Sequence, residues 1–150
     1  MTQIIWKLSS GGIAITQLVD ATDAESEAAK LLEAGLVAAD WTVDHIRNDE
    51  NHYIVDDALF FGALTANGGE IVIDMDKARE IWRGAIREAR APKLAALDVA
   101  WQRASEDGRE DAKAKIVAAK QLLRDLPEDA AIAKAKSIAD LRAFWPDVLS

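Results

Sequence analysis

Hydrophobic positions along this chain shift in character near residue 73. Before it they alternate or run in short β-branched blocks, apart from one helical stretch at Thr22–Gly35; beyond it they recur every three or four residues. "QIIWKL" (Gln3–Leu8) and "GIAITQL" (Gly12–Leu18) flank "SSGG" and predict a β-hairpin. "TDAESEAAKLLEAG" predicts a helix: Thr22 with Glu25 forms a capping box, Asp23 and Glu25 suit the helix dipole, and Gly35 stops it. "DWTVDHI" alternates loosely, as a strand would. "NDEN" (Asn48–Asn51) is an expected loop, and "HYIVDDALFFGALTANGGEIVID" an expected β-rich stretch with a turn at "ANGG".

From Asp74 the pattern is helical. Trp82, Ile86, Ala89, Lys93, Leu97, Ala100 and Ala104 lie at gaps of 4, 3, 4, 4, 3 and 4, with Lys93 alone breaking the apolar seam. Asp74 or Asp76 can cap the start. Pro92 removes one backbone bond and crowds the carbonyl four residues earlier, which predicts a kink or two abutting helices near Arg90–Pro92. "SEDGRED" turns at Gly108 into a second helix, Glu110–Arg124, whose seam is Ala112, Ile116, Ala119 and Leu123. Two such seams joined by a short loop pack as an antiparallel hairpin, here burying Trp82, Leu97, Ile116 and Leu123 together. A short helix follows Pro127, Ser137 with Asp140 caps another, and "FWPDVL" is an apolar tail that should dock.

The expected fold is therefore α+β. A small antiparallel β-rich domain with one helix, residues 1–73, precedes a helical-hairpin module with short terminal helices, residues 74–150. Composition adds limits. The formal net charge is −8, and residues 1–70 hold 3 Lys or Arg against 12 Asp or Glu. That acidic half repels phosphate backbones, and the second half is mixed in sign, so no nucleic-acid partner is expected. No apolar run reaches the roughly 18 residues of a membrane span, and the start lacks a basic n-region and a long apolar h-region, so neither membrane insertion nor a signal peptide is expected. With no cysteine, disulfides, thiolate metal sites and a cysteine nucleophile are excluded.

Candidate chemistry is sparse. His45 and His52, with Asp44, Asp49 and Glu50, are spaced for a surface loop rather than for a metal, and "DMD" (Asp74–Asp76) reads as helix capping. There is no G-x-S-x-G elbow, P-loop or G-x-G-x-x-G, so neither an enzyme nor a cofactor is expected. Arg79, Arg83, Arg87 and Arg90 do stand out, within an arc of roughly 80° beside the Trp82 seam. Three readings stay open: arginine stems lining the seam with heads in water, forks gripping an acidic protein surface (the chain's own first half included), or a phosphate grip. The five tryptophans, Trp6, Trp41, Trp82, Trp101 and Trp145, are read as core or as interface centres.

Four elements carry a family resemblance: D-x-x-K-A-R-x-I at Asp74–Ile81, I-R-x-A-R-x-P-x-L-x-x-L-D at Ile86–Asp98, K-Q-x-L-R-D-x-P at Lys120–Pro127 and W-P-x-x-L at Trp145–Leu149. In this order they resemble the C-terminal helical module of tail-fibre-assembly-like proteins (phage tail proteins) of tailed phages and prophages, over about half the chain. Members often carry D-R-T-F-R-x-A-W before the module; "DDALFFGAL" stands there instead, with Asp57 and Phe60 its only echoes. The resemblance implies a non-enzymatic protein that binds phage tail or fibre proteins, as an assembly chaperone or small virion component. It would act in the cytoplasm of the bacterial host or in the virion. The expected protein-binding residues are Arg79, Trp82, Arg83, Arg87, Arg90 and Trp145, and a homo-oligomer is compatible with them. The alternative is an acidic antidefence inhibitor of a host nucleic-acid enzyme, with Asp20, Asp23, Glu25, Glu27, Asp56 and Asp57 imitating phosphates.

Overall fold

The computed structural model describes residues 2–18, 23–47, 58–67 and 69–150. It is an α+β protein, with two compact units, Met1–Ala78 and Arg79–Ser150. In the first, strands β1 (Thr2–Lys7), β2 (Ile13–Leu18) and β3 (Thr42–Arg47) form an antiparallel sheet of order β2-β1-β3. β1 is central and covered on both faces, which explains its unbroken "QIIW" run: Gln3 to Trp6 are all buried.

One face of the sheet takes α1 (Ala24–Glu33). Ile4 and Trp6 pack there with Ala28, Leu31, Leu32 and Trp41. The Trp6 indole satisfies its N–H on Thr16 Oγ1 at 2.9 Å and sits 6.5 Å from the Trp41 ring. The opposite face carries Ile5 and Ile13 against Leu64 and Ala66 of a second antiparallel pair, β4 (Leu64–Asn67) and β5 (Glu70–Ile73).

Two local expectations change. The helix cap at α1 is Asp23, whose Oδ1 accepts from Ser26 N at 3.1 Å. The expected Thr22 cap would start the helix one residue earlier, and Thr22 itself lies outside the described residues. The stop is as expected: Gly35 takes φ +66°, and Gly35 N and Leu36 N bond to Leu32 O and Leu31 O, a Schellman closure. "ALFFGA" is a 3₁₀ helix, Ala58–Ala63, rather than strand. Its burial has period three: Phe60 and Ala63 are fully buried, whereas Leu59 and Phe61 are each 41% exposed. Eclipsed i and i+3 positions place one face in the core, where strand alternation would not. The expected "NDEN" loop and the residues as far as Asp57 lie outside the described residues.

α2 (Met75–Glu106) begins on Asp74, whose Oδ1 accepts from Asp76 N and Lys77 N at 3.0 and 3.2 Å. It runs unbroken through Pro92, so the two abutting helices are not formed. In the second unit, Gly108 (φ +66°) closes α2 and turns the chain into α3 (Glu110–Asp125). A 3₁₀ turn at Leu126–Glu128, then α4 (Ala130–Lys134), α5 (Ile138–Ala143) and a last turn at Asp147–Leu149 complete the chain. The Ser137–Asp140 capping box forms at α5 as expected. The hairpin core is uneven. Trp82 and Leu123 are buried, but Leu97 and Ile116 are only partly so; the deepest positions include Ile86, Ile132 and Leu141, all fully buried.

Candidate functional site

Chains that end in four short helices face a backbone problem. None of those segments is long enough to hold itself, and each terminus leaves carbonyls without intrahelical partners. The arginine row answers it. Arg79 donates from Nε and Nη2 to Ala135 O, the C-cap of α4, at 3.2 and 2.8 Å. Arg83 donates from Nε to Pro127 O at 3.1 Å and pairs with Glu80. Arg90 Nη1 donates to Leu123 O and Arg124 O at 2.9 and 2.6 Å, carbonyls in the last turn of α3. Trp82 extends the series, with its Nε1 donating to Phe144 O, the α5 C-cap, at 3.1 Å. Even Lys93, the polar break in the seam, donates to Ser150 O at 3.1 Å.

A cation at a helix C-terminus gains from both the hydrogen bond and the dipole, and a guanidinium offers several donors in a fixed plane while staying charged. The helical spacing that puts the arginines along one side of α2 thus lets Arg90 meet the end of α3, Arg83 the 3₁₀ turn that follows it and Arg79 the end of α4.

The six residues expected to form a partner-facing edge therefore divide. Arg79, Arg83, Arg90 and Trp82 use donors inside Arg79–Ser150, and Trp82 is 2% exposed. Of the three readings of the row, neither free solvation nor an external fork describes them, because their acceptors are backbone carbonyls of their own chain. Sequence reasoning missed this since a carbonyl acceptor has no side-chain signature. Arg87 is nearer the surface, 3.5 Å from Glu128 and 4.0 Å from Glu80. Trp145 also remains accessible, at 37%. Its ring meets that of Trp82 edge-on, centroids 5.3 Å apart at 66°, and the Arg142 guanidinium lies 5.3 Å from the Trp82 ring centroid. Val148, 40% exposed, follows three residues on, while Leu149 is buried.

Elsewhere a recess of about 620 Å³ lies between α1 and β3, floored by Ala28, Leu32, Val43 and Ile46 with Glu25 and Asp44 lining it. Among the described residues no group of three or more His, Cys, Asp or Glu side chains is placed to hold a metal ion. No helix of the described residues is long and apolar enough to cross a membrane. Of the acids expected to imitate phosphates, Asp23 caps α1 and Glu27 pairs with Lys30 at 2.6 Å; Asp20, Asp56 and Asp57 lie outside the described residues, as does His52. No family model, curated protein or solved structure matches this chain.

Proposed function

We propose that this chain is a non-enzymatic phage or prophage protein that binds other phage proteins, as a tail or tail-fibre assembly chaperone or a small virion component. The reading rests on the four resembling elements, and what supports it physically is how they meet. Arg79, Arg90, Lys120 and Leu149 belong to different elements or reach between them, and each is used in holding Arg79–Ser150 together. Those residues build a platform, and the docking surface is what the platform leaves outside.

The observation that carries this surface is Trp145. It is more than a third exposed yet fixed by the Trp82 ring and by the Trp82–Phe144 hydrogen bond one residue before it. An aromatic anchor held in place before association loses little rotamer freedom on docking, and tryptophan is the kind of residue on which binding energy concentrates; Val148, also exposed, lies three residues on. The Trp82 indole is its support.

The test is co-expression with tagged fibre and baseplate proteins encoded beside the gene, comparing wild type with Trp145→Ser/Val148→Ser. Co-purification should fall by at least tenfold while far-UV circular dichroism and the urea midpoint stay close to wild type. Undiminished co-purification of the double variant removes this surface from the account. An acidic inhibitor would instead lose its target steeply with added salt, whereas docking on Trp145 and Val148 should respond little.

A further inference from the structure

The recess between α1 and β3 is built by an irregularity in the sheet. β3 pairs with β1 so that Ile46 lies opposite Ile4 and Val43 opposite Trp6, and the register shifts between Ile5 and Trp6. Asp44 is the extra residue of a β-bulge. In a regular strand Val43 and Ile46, three positions apart, would point to opposite faces. The bulge turns both toward α1, the side on which Ile4 and Trp6 pack.

α1 meets this floor with small side chains. Glu25, Ala28, Ala29 and Leu32 lie along one side of the helix, so two alanines stand where larger residues would fill the space. What is left is an opening of about 620 Å³, within the range of small-molecule sites, in which Val43 stays 39% exposed.

The lining carries one sign of charge. Its charged residues are Glu25 and Asp44, both acidic. Asp44 is engaged within its own chain, so the available charge is that of Glu25, whose carboxylate makes no hydrogen bond or ion pair among the described residues. Lys30, the one cation of α1, pairs with Glu27 at 2.6 Å and falls about 140° round the helix from Glu25. The surroundings are acidic too, with 3 Lys or Arg against 12 Asp or Glu in residues 1–70.

We propose that this recess binds a small organic cation with an apolar body. The body would lie on Ala28, Leu32, Val43 and Ile46, with its cationic end beside Glu25. Glu25 and Leu32 are roughly 10 Å apart along the helix, which sets the length of molecule that spans the site. An anion of the same shape would bring its charge against an uncompensated carboxylate and is rejected.

The probes are phenylbutylamine, phenylbutanol and phenylbutyrate, one body with a positive, a neutral or a negative end near neutral pH. Binding to the full chain is followed by methyl NMR of Ala28, Ala29, Leu32, Val43 and Ile46. The ammonium probe should shift these methyls and bind roughly tenfold tighter than the carboxylate, a difference of about 1.4 kcal/mol, with the alcohol between them. The preference should fade as salt rises to about 1 M, where the Debye length is near 3 Å. Glu25→Gln should bring the ammonium down to the level of the alcohol. Ala29→Leu, at an exposed helical position, should fill the recess and abolish binding of all three while the urea midpoint stays close to wild type.

Equal binding of the ammonium and carboxylate probes, shifts confined to other residues, or no binding of any probe overturns the proposal. So does an Ala29→Leu chain that binds as wild type does. None of these results bears on Trp145, so this site and the proposed function fail separately.

Discussion

Replacing Arg79 by methionine tests the role assigned to the arginine row. Methionine keeps most of the apolar stem and deletes both donors to Ala135 O, at 3.2 and 2.8 Å. Ala135 is 4% exposed, so water has poor access to the carbonyl left behind. A hydrogen bond to a charged group contributes about 1.5–3 kcal/mol, and an unsatisfied buried acceptor costs about 1–3 kcal/mol; these are two views of one loss, so Arg79→Met should destabilise by about 2–3 kcal/mol. With a urea slope near 2 kcal/mol per molar, the midpoint followed by far-UV circular dichroism should fall by about 1 M. Arg79→Lys, which restores a charge but not the planar fork, should recover roughly half of that. Hydrogen exchange should place the loss in α4 and its neighbours. A methionine variant within about 0.2 M of wild type would show that capping Ala135 O contributes nothing net, and the row would again need another purpose.

Pro92 and Asp140 supply two further checks. Pro92 sits exposed inside an unbroken helix and cannot bond the carbonyl of Glu88. Pro92→Ala should therefore stabilise by about 1–2 kcal/mol after allowance for the looser unfolded chain, read from the same urea curves; a loss would mean that the ring itself is needed for packing. The Asp140 carboxylate accepts from Lys136 N at 2.9 Å and Ser137 N at 3.1 Å, which with the Ser137 side chain holds its pKa below the ordinary 3.8. A depressed acid stabilises the fold above its unfolded pKa, and that contribution disappears as pH falls through the lower folded value. NMR titration should find the Asp140 midpoint below 3.8, and Asp140→Asn should flatten the acid dependence of α5 unfolding; a midpoint at or above 3.8 contradicts the capping geometry.

What the amino-acid order determined by itself is local. The hairpin β1–β2, the caps at Asp74 and Ser137, the glycine closures at Gly35 and Gly108 and the two long helices each follow from spacing within a dozen residues, because propensity, capping and left-handed φ are short-range effects. "ALFFGA" shows where this ends. A run apolar at nearly every position fits strand and 3₁₀ helix alike, and only the core available to Phe60 and Ala63 decides between them. The candidate site lay further out of reach. Four arginines at helical spacing were visible, but their acceptors, Ala135 O, Pro127 O, Leu123 O and Arg124 O, are groups every residue possesses. Which carbonyl ends a helix beside which guanidinium depends on contacts spanning thirty to sixty positions, and so does the ring contact that steadies Trp145 on Trp82. Tertiary structure turned the charged stripe toward its own chain and left Trp145, Val148, Trp101 and Val117 at the surface.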